Sequence, residues 1–394
     1  MFGGSRRGSA APFGRRGAAW LRFLVIMISA KPSIRATEEL NDVFVIGAGA
    51  SVPYGFPTGV RLLSQLRQEQ LSYNDRPLLE ILDSLDAQQR TAQFDRCTSE
   101  YFETRCWDHS PDPSFCLRWT KMIRGSVILS IDQFLKNVED KNLREFGKRW
   151  MARKILNAEA NACDEPKQAD NQSTSSSMHS IDWIQQFLTR VDLLGNWDEY
   201  LRRAAFLTFN YDRVLEFFLE RYLVVDKNLS RDEARSFVED MQIHHMNGYL
   251  GPLSEISFGN LTDPNSELDP LFDPPSRHAP SVKWSAVANR MRTVWEDPDH
   301  HPDAKETQAK AKEATSKAKR IFVIGTSFIP ENLEAIGLLP VEGTTKPWGQ
   351  ANLLATAKGL SKAQMIRAAD QLKVRGKNFL DMNALDFVVD HVVL

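Results

Sequence analysis

The chain has 394 residues, of which 42% are hydrophobic and 25% charged, so it can build one large packed domain with an insertion, or two domains. Its formal net charge of −2 argues against nucleic-acid binding through the whole surface, although a local basic patch stays possible. The four cysteines, Cys97, Cys106, Cys116 and Cys163, have no paired C-x-x-C spacing and are too few for a disulfide scaffold. We therefore expect reduced thiols, a cytoplasmic location and no zinc.

The first 36 residues stand apart from the rest in composition. An arginine-rich stretch precedes the short apolar run Leu24–Ile28, a pattern that also occurs in leader peptides. The run is too short to span a membrane, and Lys31 and Pro32 follow it. We expect residues 1–36 to be a poorly ordered extension, with Met27 as the natural start.

The first predicted strand is the β-branched apolar run Val43–Ile46, which is typical of a strand buried on both faces. It leads into Gly47, Ala48, Gly49 and Ser51. A Gly-x-Gly turn after a strand lets the backbone approach a phosphate closely, because glycine has no Cβ. The spacing is not G-x-G-x-x-G, so an ordinary strand-to-helix turn is the alternative.

A long helical region follows this turn. The pattern predicts a first helix at 57–70, and apolar residues then recur at spacings of three and four up to residue 199. Residues 106–119, with Pro111 and Pro113, are predicted to be a loop, and the polar stretch 164–180 a mobile loop. Residues 71–199 therefore read as a helical insertion that covers one side of a sheet.

Four further apolar runs alternate with helical patterns. They lie at 205–209, 241–245, 320–324 and 353–357. Short buried strands that alternate with helices indicate an α/β fold with a Rossmann-like, mainly parallel sheet flanked by helices. In such a sheet the carboxyl ends of the strands line the ligand crevice. The residues at these ends are Asn210 and Asp212, then His244, His245 and Asn247, then Gly325, Thr326 and Ser327.

Three of these strand ends together resemble a known family. VFVIGAGAS, TFNYD and FVIGTS, in this order, are similar to the sirtuin-like fold of NAD-consuming proteins, and the resemblance covers roughly residue 42 to the C-terminus. Bacterial sirtuin-like proteins of antiphage defence are most similar to four segments of this chain, GFPTG, TFNYDRVLE, GTSFIPENLEAIGL and LLATAKGLS. Some of those proteins are encoded beside a hexameric HerA-type ATPase.

The resemblance implies roles for individual residues. Asn210 would hold a ribose hydroxyl and a water, since an amide offers one acceptor and two donors, and Asp212 would accept from the nicotinamide carboxamide. The alternatives are that Asn210 caps the following helix and that Asp212 serves its first turn. The turn at Gly47, Ala48, Gly49 and Ser51 would carry the pyrophosphate and ribose, and Gly325, Thr326 and Ser327 would contact the adenosine side.

The general base departs from the sirtuin pattern. In sirtuins the catalytic histidine directly precedes a glycine, and here that position is Asn247. We expect His245 to serve as the base, since histidine titrates near neutral pH, with Asn247 on the same side of an alternating strand and His244 on the opposite side. Without a base the protein would be a sensor that binds NAD with little turnover.

These expectations combine into one functional hypothesis. The chain is expected to be an NAD glycohydrolase that cleaves NAD to nicotinamide and ADP-ribose as an antiphage effector. It would need no metal and no cofactor beyond NAD as substrate, and it would be regulated as a homo-oligomer or by a HerA-type ATPase. The alternatives are a nucleotide-binding assembly or regulatory subunit of an ATPase complex, and an NAD-dependent protein deacetylase, which the missing C-x-x-C pair disfavours. No membrane attachment is expected, and nucleic-acid binding by the chain alone is disfavoured.

Overall fold

The structure is a computed structural model. It describes residues 42–68, 113–163, 182–256, 258, 287, 289–293, 296, 302–339, 348, 351–392 and 394. The predicted N-terminal extension at 1–36 and the predicted mobile loop at 164–180 lie outside these ranges.

A parallel sheet forms the centre of the fold. The described strands are in the order β3-β2-β1-β4-β5-β6, and every neighbouring pair is parallel. This is the doubly wound order, in which the direction of winding reverses between β1 and β4, and it confirms the predicted α/β Rossmann-like fold. The strands are β1 Asp42–Ile46, β2 Ala205–Thr208, β3 Gln242–His245, β4 Arg320–Ile324, β5 Asn352–Thr356 and β6 Phe379–Leu380.

Helices flank the sheet and make up the inserted region. Those before β2 are α1 Gly59–Gln68, α2 Pro113–Gly125, α3 Ile131–Lys136, α4 Lys141–Cys163, α5 Trp183–Leu193 and α6 Trp197–Arg203. Those after β2 are α7 Val214–Val225, α8 Arg231–Asp240, α9 Pro302–Lys317, α10 Pro330–Ala335, α11 Lys362–Leu372 and α12 Ala384–His391.

The prediction of a loop over residues 106–119 is wrong in its second half. Helix α2 begins at Pro113, and proline suits the first position of a helix, because its missing N–H has no partner there anyway. The sequence pattern also gave no sign of β6 or α12. A strand of two residues is too short to show any periodicity.

Aromatic stacking fixes one face of the sheet. Phe44 of β1 lies opposite Phe206 of β2 and Phe322 of β4 in the strand register, and its ring centroid is 5.2 Å from each. Phe187 of α5 meets Phe44 edge-on at 5.1 Å. The opposite face of β1 carries Val43 and Val45, which belong to a second apolar cluster. Both faces of β1 are therefore buried, as its continuous apolar sequence requires.

The inserted helices share the core of the first face. Trp119 of α2 lies edge-on to Phe134 of α3 at 5.7 Å and to Phe146 of α4 at 5.1 Å, and all three belong to the cluster that contains Phe44. Residues 40–394 cluster as one compact unit. Within the described ranges, no helix is both long and apolar enough to cross a lipid bilayer.

Candidate functional site

The turns that follow β1 and β4 meet at the point where the winding of the sheet reverses. The N–H of Gly47 donates to the Ile324 carbonyl and the N–H of Gly49 to the Gly325 carbonyl, both at 2.9 Å. A Cβ on Gly47 would lie 2.6 Å from the Gly325 oxygen, and a Cβ on Gly325 would lie 2.2 Å from the nitrogen of Ala50. Packing between the two turns thus explains these glycines without any ligand. Of the predicted cradle, Gly49 stays exposed and Ala48 is half-buried.

The Asn210 amide lies directly against the first turn. Its Nδ2 donates to the Gly47 carbonyl at 3.2 Å and to the Ser51 hydroxyl at 2.9 Å. Because a carbonyl can only accept, the first contact fixes which end of the amide is nitrogen. The residue is only 5% exposed, and its Oδ1 is buried without a hydrogen-bond partner in the described part of the chain. A buried acceptor in this state requires an explanation.

Asp212 completes a line of hydrogen bonds that starts at Asn210. The Ser51 hydroxyl donates to Asp212 Oδ1 at 3.1 Å, and the N–H of Val214 reaches the same oxygen at 3.3 Å. Burial raises the pKa of Asp212 to about 7, and the nearby carboxylates of Glu159 and Glu216 act in the same direction against these hydrogen bonds. Asp212 is therefore poised to change its charge near neutral pH.

His245 is held between two acceptors. Its Nδ1 lies 3.1 Å from the Asn210 carbonyl, its Nε2 lies 2.5 Å from Glu216 Oε1, and its ring stacks on Tyr249 at 4.2 Å. Burial lowers the pKa of His245, but the charge of Glu216 and these hydrogen bonds outweigh it, so the pKa is raised overall. An imidazole that donates from both nitrogens has no lone pair with which to act as a base.

The structure separates the other residues after β3. Asn247 and His245 do not face one cavity: His245 lines a cavity of 740 Å³ with Glu216 and Tyr249, whereas Asn247 lines a 260 Å³ cleft with Phe209. The strand alternation ends at His245, where the N–H of Gly248 turns back to the His245 carbonyl at 3.1 Å. The Asn247 amide donates to the Phe209 carbonyl at 3.3 Å.

His244 lines the 740 Å³ cavity together with His245, although strand alternation predicts opposite sides. It also lines a second cavity with Lys310 of α9, and burial and the charge of Lys310 lower its pKa.

The residues after β4, Gly325 to Ser327, lie on the side of Gly47 opposite to Asn210. The Thr326 Cα would be 2.7 Å from a Cβ on Gly47, so the two residues touch. Thr326 Oγ1 is buried and, among the described residues, has no hydrogen-bond partner. Gly325 is held by its N–H, which donates to the Thr356 hydroxyl at 2.9 Å, and Ser327 is exposed. Two buried polar atoms that find no partner among the described residues, on Asn210 and Thr326, thus lie in residues that contact Gly47.

Some of the residues that shape the site were not predicted. Glu216 lies in the first turn of α7, where an acidic residue is ordinary, so nothing in the sequence marks it as the partner of His245. Tyr211 was also overlooked: its hydroxyl lies 2.7 Å from Asp132 Oδ1 and 2.7 Å from the Arg292 carbonyl. Burial raises the pKa of Asp132, and the hydrogen bond from the Tyr211 hydroxyl opposes that shift.

Comparison with known proteins adds no relative. No protein-family model matches the chain, and no curated protein matches it either. In the described residues, no group of three or more His, Cys, Asp or Glu side chains could hold a metal ion.

Proposed function

We propose that this protein hydrolyses the glycosidic bond between nicotinamide and ribose in NAD. The observation that carries the proposal is the buried Oδ1 of Asn210, which finds no partner in the described part of the chain. It lies beside the Gly47 turn at the reversal point of a doubly wound sheet, where such folds bind nucleotides. The order of the motifs around it is that of sirtuin-like NAD-consuming proteins.

The required chemistry matches these groups. Nicotinamide leaves as a neutral molecule from a positively charged substrate, so the protein has mainly to position a water and stabilise the developing charge. Asn210 Oδ1 can accept a hydrogen bond from that water or from a ribose hydroxyl. Thr326 Oγ1 lies across Gly47 from it and can bind a polar group of the same dinucleotide. The exposed Gly49 leaves the turn open to the pyrophosphate.

The wider setting is proposed from the resemblance. The reaction would deplete NAD in a cell infected by phage, and so toxic an activity needs restraint. We propose that a homo-oligomer or a HerA-type ATPase supplies that restraint, and that the protein works in the cytoplasm.

A second function is favoured by the state of His245. Both nitrogens of His245 face acceptors, so His245 cannot act as the base that was expected from the sequence. A chain that binds NAD without hydrolysing it would serve as a nucleotide-binding regulatory or assembly subunit.

Nicotinamide release separates the two functions. The purified full chain is incubated with NAD, nicotinamide and ADP-ribose are followed by chromatography, and NAD binding is measured by calorimetry. We expect hydrolysis in the wild type and a loss of about 100-fold or more in kcat for Asn210→Ala, since misplacing a reacting water costs that much. Asn352→Ala, on an exposed residue at the amino end of β5, is the matched control and should behave as wild type.

Binding without turnover would support the regulatory subunit. Turnover that survives Asn210→Ala would contradict the assignment of the site. Absence of both binding and turnover would contradict both functions.

A further inference from the structure

The hydrogen bonds around Ser51 all run in one direction. Asn210 Nδ2 can only donate, so the Ser51 oxygen accepts at 2.9 Å, and the single hydroxyl hydrogen goes to Asp212 Oδ1 at 3.1 Å. A hydroxyl oxygen has two lone pairs, and Asn210 uses one. No other donor reaches Ser51 Oγ from the side chains that the structure describes, so the second lone pair can accept from a water. Ser51 is only 4% exposed.

Asn210 offers a second acceptor for a water. Its Oδ1 belongs to the amide whose Nδ2 contacts Ser51, and this oxygen is buried with no described partner. A water at this point would donate one hydrogen to Asn210 Oδ1 and the other to Ser51 Oγ. That arrangement leaves one lone pair of the water directed at a third atom, which is what a nucleophilic water requires.

We propose that the Ser51–Asp212 pair, and not a histidine, takes the proton from the water that attacks NAD. This inference depends on the proposed NAD hydrolysis. The water oxygen bonds to C1′ of the ribose as the C1′–nitrogen bond breaks, and that electron pair leaves with neutral nicotinamide. One water hydrogen passes to Ser51 Oγ, while the hydroxyl hydrogen of Ser51 passes to Asp212. Solvent later takes the proton from Asp212.

The charged surroundings of Asp212 suit this role. The titratable groups that interact with it are the carboxylates of Glu159 on α4 and Glu216 on α7, the imidazole of His245 on β3, and the phenol of Tyr54. Glu159 is paired with Arg213, and Glu216 with His245. Burial among carboxylates raises the pKa of Asp212 to about 7, and a base is most effective when its pKa lies near the working pH. His245 is a positioning residue here, because it holds the Asn210 carbonyl.

The pH dependence of hydrolysis tests the inference. In the wild type, kcat/KM should rise with pH through an apparent pKa near 7, as Asp212 loses its proton. Asp212→Asn keeps the size of the side chain and an acceptor for Ser51, but it cannot take a proton. We expect it to lower kcat about 100-fold or more, as is typical for loss of a general base, and to remove the pH dependence. NAD affinity, measured by calorimetry, should stay within a few-fold of wild type.

Three further variants sharpen the test. His245→Gln should keep the rise with pH at a reduced rate, and Ser51→Ala should lower kcat at least about 10-fold without removing the carboxylate. Asp370→Asn, on an exposed residue of α11, is the matched control and should leave the profile unchanged. Circular dichroism tests whether each variant is folded. If Asp212→Asn is unfolded, the kcat of Ser51→Ala tests the inference instead.

The outcomes distinguish the two proposals. If the wild type does not hydrolyse NAD, the proposed function fails and this inference fails with it. If the wild type hydrolyses NAD but Asp212→Asn keeps the pH dependence, or loses only affinity, this inference alone is overturned. Loss of the pH dependence in His245→Gln, with its retention in Asp212→Asn, would return the role of base to the histidine.

Discussion

At the scale of single residues, the protonation of His245 decides whether this histidine can act as a base. Its Nε2 lies 2.5 Å from Glu216 and its Nδ1 lies 3.1 Å from a carbonyl, so each nitrogen meets an acceptor. The charge of Glu216 and these hydrogen bonds raise the pKa of His245, which favours an imidazolium. A charged ring held in this way can orient the Asn210 backbone and stabilise charge, but it cannot take a proton from water.

Nuclear magnetic resonance can observe this state directly. We expect the ¹⁵N shifts of His245 at pH 7 to be those of an imidazolium. In Glu216→Gln the opposing effect of burial should prevail, because the neutral amide no longer favours the charged ring, and the pKa of His245 should fall below its ordinary value. Gln242→Glu, on an exposed residue of the same strand, is a control that changes charge outside the His245 contacts. A neutral imidazole at pH 7 in the wild type would contradict the description.

The sequence located some of these residues but not their roles. Asn210 and Ser51 could be predicted to meet, because each follows a neighbouring parallel strand and the carboxyl ends of such strands share one edge. The direction of the His245 nitrogens depends on which acceptors pack around them. Those acceptors are a backbone carbonyl and one of the two glutamates on α7, and no sequence pattern identifies either as a partner of His245.

At the scale of elements, the turns after β1 and β4 pack backbone against backbone. Gly325 has a φ of +67°, where L-residues are disfavoured, and a Cβ there would lie 2.2 Å from the backbone nitrogen of Ala50. Backbone cannot move aside as a flexible side chain can. The glycines that suggested a phosphate cradle therefore also serve the packing of one strand end against the next.

Substitution can measure this packing. Gly359 also has a positive φ, of +84°, but no atom lies within 4 Å of the position of its Cβ. We expect Gly359→Ala to cost about 1 kcal/mol of unfolding free energy, from backbone strain alone. Gly325→Ala adds a clash with backbone and should cost about 3 kcal/mol or more. Denaturant unfolding measures both, and equal costs would show that the turns can separate.

The elements themselves were the most predictable part of the fold. Strand β1 was predicted within one residue of its observed start, because it is a continuous apolar run. Helix α2 was misjudged at its start because a proline was taken for a loop signal. The two-residue β6 gave no signal at all.

At the scale of the whole molecule, buried polar contacts join the inserted helices to the edge of the sheet that carries the site. Lys148 of α4 donates to the Met291 carbonyl at 3.0 Å and pairs with Glu296 at 2.6 Å. Arg213, directly after Asp212, pairs with Glu159 of α4 at 2.6 Å, and both side chains are 0% exposed. The insertion thus supports the backbone segment that carries Asn210 and Asp212. Sequence periodicity could not predict this contact.

The Arg213–Glu159 pair should make the insertion and the sheet unfold together. Glu159→Gln removes the carboxylate that pairs with the buried Arg213 at 2.6 Å, and breaking a buried pair in this way costs about 3–5 kcal/mol. Glu199→Gln breaks the exposed pair of Glu199 with Arg203 and should cost less than about 1 kcal/mol. The pair bridges the two regions, so both should unfold at the same, lower denaturant midpoint. Tryptophan fluorescence, to which Trp119 and Trp150 of the insertion contribute, and far-ultraviolet circular dichroism measure that midpoint. Separate midpoints in Glu159→Gln would show that the insertion is an independent unit.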